Sequence, residues 1–349
     1  MRKLERKNRN FEEFLKVLNR SGKPEYLPFY EHLASPSFIA ARTGTRFDAM
    51  SPSDPGYWEI YVTFWLEMGF DNIPLEIPLN CPLPAPSKGR ETVSVESESR
   101  VVFRNPADIE RYPWPAESDP IDFKPFEIVS KLLPDGVKIV GGVCAGPYEW
   151  ASMMMGTVGM SYALADCPEM VETVFQRLGR LHENAHRQLA SMDSVGALRQ
   201  GDDLGFKTAT FLPPELLRLH VFPIYSRLTE TAHAHGKPFI LHSCGNLSEV
   251  YDDLIHTCRI DAKHSFEDVI MPVAEFKRRY GRSVTALGGL DVDTLCRSSP
   301  SEIRRYARRM IEECWSDGWW ALGTGNSLTN YLPVENYIIV LEEGMKATI

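Results

Sequence analysis

No run of eighteen apolar residues occurs in this chain of 349 residues, so nothing in it reads as a membrane-spanning helix. The first stretch, MRKLERKNRNFEEFLKVLNR, is charged and amphipathic and has no apolar core. That pattern excludes a secretory signal and points to a capping helix. There is no CxxC pair, and the seven cysteines are scattered and odd in number. This argues against a disulfide framework and for free thiols in a reducing, cytoplasmic setting. No basic stripe offsets the net charge of −9, which speaks against a nucleic-acid partner. No GxGxxG follows the first apolar strand, so a dinucleotide-binding open sheet is the weaker α/β alternative. Internal repeats and low-complexity segments are also missing.

What is present is an ordinary globular composition, 43% hydrophobic and 24% charged. Short apolar segments at 26–32, 71–77, 138–144, 194–205, 239–246, 262–268, 283–291 and 319–327 read as strands. Helical patterns stand between them, among them 35–43, 54–68, 123–133, 148–164, 167–191, 213–235, 272–280, 299–314 and 334–346. Alternating strands and helices imply parallel βαβ units, and eight of them imply a closed (β/α)8 barrel. We therefore expect one α/β domain over 1–349, a (β/α)8 barrel with an N-terminal helix. Within 79–104, ETVSVESESRVVF alternates apolar and polar residues, which predicts a β-hairpin insertion after the second strand. A Pro-rich surface segment follows at 105–120.

The chemistry gathers at strand ends, where such barrels carry their active sites. FILHSCGN (239–246) is the central stretch: an apolar strand delivers His242 and Cys244 and then turns. Residues i and i+2 of a strand share a face, so this imidazole and thiol can converge on one metal ion, and zinc favours both. The bland alternative is a buried cysteine beside a core histidine. The other strand ends carry Glu31 and His32, Glu76, Cys144 with Glu149, Asp202 with Asp203, Asp268, Asp291 and Asn326. Of the adjacent aspartates, at most one is expected to face the mouth. Asp268 and Asp291 can be helix caps, Glu149 opens a helix, and Glu31, His32 and Glu76 can form rim ion pairs.

GPYEWASMMMG (146–156), GDDLG (201–205), LHSCGN (241–246), ALGGLD (286–291) and GTGNSLTNYLPVENY (323–337) together resemble the uroporphyrinogen decarboxylase superfamily, in particular its cobalamin-dependent methyltransferase branch. The resemblance covers nearly the whole chain and implies a (β/α)8 barrel. It implies transfer of a methyl group between a small methylated compound (methoxylated or methylamine type) or a thiol and a corrinoid carried on a partner protein. It also implies zinc on His242, Cys244 and a later cysteine. That later position falls on Asn326, a poor zinc ligand, so a further ligand is expected from Glu149, one of the GDD aspartates or Cys144. Glu149, Asp202 and Asp203 are the catalytic candidates, and Glu31, Asn326 and Asp291 the substrate-binding ones. The Arg-rich N-terminal motif of the decarboxylases is absent; EHLASPSFIAARTG stands in its place. A cofactor-free decarboxylase, with Arg42, Arg46 and Arg199 as its carboxylate-binding candidates, is the alternative. A metal-free corrinoid- or ligand-binding protein is another.

Overall fold

The computed structural model describes Leu4, Arg6 and residues 8–84 and 100–347. Seven parallel strands run in chain order: β1 (Asn72–Pro78), β2 (Lys138–Cys144), β3 (Val195–Gly201), β4 (Phe239–His242), β5 (Ala262–His264), β6 (Thr285–Leu287) and β7 (Trp320–Ala321). Each pairs with the next in sequence, the arrangement that helical crossovers impose. The strands read as near-continuous apolar runs, such as KIVGGVC and FILH, because a parallel sheet is covered on both faces.

The closed eight-stranded barrel is met in part. The segment expected as the first strand, 26–32, joins no ladder. It makes an isolated parallel bridge instead, Phe29 to Leu322, and Ala34, two residues past it, bridges Leu328. The Tyr30 N–H donates to the Leu322 carbonyl and the Leu322 N–H to the Pro28 carbonyl, each at 2.9 Å. Toward β1 the Asn72 side chain donates to the Phe29 carbonyl at 2.8 Å. Part of the cause is visible in the sequence: Pro28 has no N–H to contribute, and a missing donor interrupts a ladder. The architecture is thus a curled seven-stranded parallel sheet with an N-terminal helix.

That helix, α1 (Phe11–Leu18), is capped by the Asn10 side chain and carries Glu12 and Glu13 in its first turn. Its Phe11, Phe14, Val17 and Leu18 share one core with Tyr30, Val140, Ala197, Ile240, Ala262, Leu287 and Ala321, the inward-facing side chains of the curled sheet. Thr285 Oγ1 donates to the Val17 carbonyl at 2.9 Å and Arg20 to the Asp261 carbonyl at 2.8 Å, which ties the helix to the amino ends of β5 and β6. One inward step along each strand, two residues on, the lining changes character. Tyr30 gives way to His32, Ala197 to Arg199, Ile240 to His242 and Ala262 to His264, while β2 and the segment after β7 offer Gly142 and Gly323. An apolar plug therefore supports a polar layer at the carboxyl ends.

Helix boundaries moved where local chemistry dictates. The helix expected at 54–68 starts at Tyr57, because Gly56 sits at φ +80° and Asp54 closes a turn onto the Ser51 N–H. The helix expected at 148–164 breaks at Gly156 (φ +74°) into Pro147–Met155 and Thr157–Asp166. The Pro-rich segment 105–120 contains a helix, Pro106–Arg111, opened by an Asn105 capping box. The hairpin expected within 79–104 falls largely on 85–99, outside the described residues. No helix among the described residues is long and apolar enough to cross a membrane.

Candidate metal centre

Two glycine turns build the site. GDDLG leaves β3 and SCGN leaves β4, and the two turns touch backbone to backbone. Gly245 adopts φ +86°, and a Cβ there would lie 2.1 Å from the Gly205 carbonyl carbon. Closeness lets the loops bond each other: the Gly205 N–H donates to the Cys244 carbonyl at 3.2 Å and the Asn246 N–H to the Phe206 carbonyl at 2.7 Å. Asp203 Oδ1 then accepts the Cys244 N–H at 2.9 Å.

The result is a triad. Ligand atoms of Asp203, His242 and Cys244 all lie within 4.8 Å of one another, and among the described residues they form the group of this kind. Cys244 Sγ is 3.6 Å from His242 Nε2, and Asp203 Oδ1 is 3.8 Å from the same nitrogen. Tetrahedral zinc with ordinary bond lengths spaces its nitrogen, sulfur and oxygen ligands about 3.3–3.5 Å apart. The three donors fit that ion after small movements and leave a fourth position for water or substrate. His242 is buried, while the Asp203 side chain is 29% exposed, so the triad opens on one side. Without metal, burial pushes the Cys244 thiol up to about 12, with the Asp203 carboxylate adding to it.

Around the triad the polar layer is densely paired. The His32 ring stacks on His242 with centroids 3.7 Å apart and 11° between planes. Burial, then the neighbouring His242, lowers the His32 pKa well below the usual range, so the stack is between neutral rings. Glu76 Oε1 meets Arg199 Nε at 2.8 Å, and its other oxygen lies 3.7 Å from His32 Nε2. Two strained residues flank the site, Ala145 (φ +59°) and Ser265 (φ +131°), in regions that side chains rarely adopt. Ser265 Oγ donates to the Gly325 carbonyl at 3.0 Å and stands 3.3 Å from Cys244 Sγ.

The remaining candidates divide. Asn326 faces the metal group: its Nδ2 donates to Cys244 Sγ at 3.4 Å. The Glu149 carboxylate accepts the Gly146 N–H at 3.3 Å. Burial and then the carboxylates of Asp202 and Asp203 raise its pKa well above the ordinary carboxylate range. Asp202 is fully buried and accepts from the Tyr148 N–H (3.0 Å), the Glu149 N–H (2.9 Å) and the Tyr225 hydroxyl (2.7 Å), so it anchors the helix Pro147–Met155. Of the further ligands expected, Asp203 joins the triad; Glu149 and Cys144 stand outside it. The Cys144 thiol is pushed up to about 12 by burial and then by Glu76 and Glu149. Glu31 is fully enclosed: its Oε1 accepts from the Thr324 N–H at 2.6 Å and the Tyr337 hydroxyl at 2.7 Å, and its Oε2 lies 2.6 Å from Thr324 Oγ1. Asp291 caps the helix Val292–Arg297 through the Thr294 N–H, and Asp268 accepts from the Tyr306 hydroxyl. Sequence reasoning passed over His264, whose Nδ1 lies 2.7 Å from His242 Nδ1. The signal was there: FILH and AKH end alike, and adjacent parallel strands in register set the two histidines side by side.

Comparison with known proteins identifies the family. The profile of the uroporphyrinogen decarboxylase (URO-D) family matches residues 11–344. A methyltransferase from Methanosarcina mazei superposes with a TM-score of 0.69 at 17% identity, covering 97% of this chain and 99% of that one, which shows a shared fold. A putative vitamin-B12 independent methionine synthase from Listeria monocytogenes has a TM-score of 0.46 at 12% identity, over 91% of this chain and 98% of that one. No curated protein sequence matches the chain.

Proposed function

The chain belongs to the uroporphyrinogen decarboxylase family, and from that premise we propose a zinc-assisted methyltransferase. It moves a methyl group between a small methylated compound, of the methoxylated or methylamine type, or a thiol, and a corrinoid held by a partner protein. The observation that carries the reading is the Asp203–His242–Cys244 triad, in which His242 is buried and Asp203 and Cys244 are part-exposed. The fold shared with a protein described as a methyltransferase supports it.

Asp203, His242 and Cys244 hold the metal. Zinc there supplies Lewis acidity, lowering the pKa of a bound thiol or polarising an ether oxygen or amine leaving group. Asn326 donates to the Cys244 sulfur and orients it. Glu149, whose surroundings favour its protonated form, serves in this reading as the acid that donates to a leaving group and recovers the proton afterwards. Asp202 fixes the helix that carries Glu149. The decarboxylase alternative is disfavoured because Arg199, one of its carboxylate-binding candidates, is already committed to Glu76.

The test is elemental analysis of wild type beside His242→Ala and Cys244→Ser, followed by methyl transfer to a corrinoid protein. We expect one zinc per chain in wild type, lost in both variants together with transfer. Full transfer by metal-free Cys244→Ser protein would overturn the reading, as would turnover of a tetrapyrrole carboxylate by the wild type.

A further inference from the structure

Behind the triad runs a chain of hydrogen bonds that no ligand role explains. His242 Nδ1 lies 2.7 Å from His264 Nδ1, and His264 Nε2 lies 3.0 Å from the Thr324 carbonyl oxygen. We propose that His264, held by the Thr324 carbonyl, is a positioning residue that fixes His242 in the tautomer whose Nε2 is bare and able to take a metal ion. For its functional meaning the inference rests on the zinc site proposed above.

The argument is one of proton counting. A carbonyl oxygen only accepts, so His264 Nε2 carries hydrogen. The ring is fully enclosed, which favours an uncharged imidazole with a single N–H; with that hydrogen on Nε2, the His264 Nδ1 is bare. The contact at 2.7 Å then needs its hydrogen from His242 Nδ1. That leaves His242 Nε2 without one, and it is this atom that stands 3.6 Å from Cys244 Sγ and 3.8 Å from Asp203 Oδ1. The opposite polarity would set two lone pairs face to face at the Thr324 carbonyl. An orienting partner behind a metal-bound imidazole is a general device, most often a carboxylate or carbonyl. Here the carbonyl acts through a second imidazole.

The surroundings hold the carbonyl in place. Gly288 adopts φ +64°, and a Cβ there would come within 2.2 Å of the Thr324 oxygen and 3.0 Å of His264 Nε2. The glycine of ALGGLD is thus what lets the carbonyl reach the ring. From the other side Glu31 grips Thr324 by both its N–H and its hydroxyl.

The experiment reads the tautomer first, in metal-free full-length protein labelled with 15N-histidine. Two-bond 1H–15N correlations, assigned by the signal that His242→Ala loses, should show His242 protonated on Nδ1 and His264 on Nε2. A proton on His242 Nε2 would overturn the proposal. Zinc affinity is read second. His264→Phe, which fills the space without polar atoms, should weaken zinc roughly 10- to 100-fold. His264→Gln offers one acceptor and one donor with the same polarity and should recover most of that loss. Wild-type affinity in His264→Phe, or no recovery in folded His264→Gln, would overturn it as well. Should His264→Phe fail to fold, the wild-type tautomer decides. Should wild type bind no zinc, the methyltransferase reading fails while the tautomer is still read.

Discussion

Asn326 shows how much one side chain can redirect a site. The resemblance put a thiolate here; instead an amide donates to the Cys244 sulfur, and Asp203 arrives from the neighbouring turn as the third ligand candidate. Adjacent carboxylates thus have different fates, since neighbours in an extended chain point opposite ways: Asp202 goes inward to three donors and Asp203 faces the cysteine. The two candidate ligands are therefore exchangeable by mutation. Asp203→Asn should weaken zinc at least about tenfold, since an amide is a poor ligand beside a thiolate. Asn326→Cys, placing a second sulfur near the first, should tighten it, and the double variant should bind like Asn326→Cys alone. Titration of the four proteins against a competing chelator measures this. Strictly additive effects across the cycle, with the double variant weaker than Asn326→Cys by the full Asp203→Asn factor, would show that Asp203 and position 326 do not share one ion.

At the level of elements, the site depends on two turns that meet without side chains. An alanine at Gly245 would have to keep φ +86° and clear backbone atoms at 2.1 Å, which it cannot do without parting the loops after β3 and β4. Gly245→Ala should cost about 2 kcal/mol or more in stability and weaken zinc, because Asp203 loses its hold on the Cys244 N–H. Gly236→Ala is the control: it also sits at positive φ, +67°, but meets nothing within 4 Å. It should lose only the conformational part, roughly 1 kcal/mol, and keep its zinc affinity. Denaturant melts with zinc titration separate the two cases, and equal zinc loss in both would contradict this account. The same turns mark what was legible in the sequence. The order of strands and helices could be read because each apolar run is short and bounded. His242 and Cys244 could be read because i and i+2 share a face. Asp203 was one of several ligands left open, since nothing local says which loop leans on which. His264 needed strand register. The bridges at Phe29 and Ala34 in place of a first ladder strand are less legible: Pro28 removes one donor, but where the ladder fails is a tertiary fact.

Across the whole molecule, the polar layer that supports the site makes stability depend on pH, with a predictable sign. Burial holds His182 and His186 neutral, His186 down to about 4, so protonation is resisted and stability falls as pH drops below the free histidine range. Glu31 acts the other way. Burial outweighs its hydrogen bonds with Thr324 and Tyr337 and raises it from 4.5 to about 8. The folded chain therefore keeps a proton that the unfolded chain gives up. The contribution is complete below 4.5 and is lost as pH rises through about 8, at roughly 1.4 kcal/mol per pH unit within that window. Hydrogen counting agrees with a neutral Glu31. Thr324 Oγ1 lies 2.6 Å from Glu31 Oε2 and 2.8 Å from the Asn326 carbonyl, and one hydroxyl hydrogen cannot serve both. A protonated Glu31 donates to the hydroxyl, which then donates to the carbonyl. Glutamine reproduces this pattern, its oxygen taking the Thr324 N–H and its amide donating to Thr324 Oγ1. Metal-free wild type should accordingly lose stability toward acid through the histidines and toward pH 8 through Glu31. Glu31→Gln should remove the Glu31 part of the loss toward pH 8, leave the part that Glu149 contributes, and keep the fold. Melting both proteins from pH 5 to 9 decides it: a Glu31→Gln profile parallel to wild type would mean that Glu31 is ionised in the folded chain and that other groups set the slope.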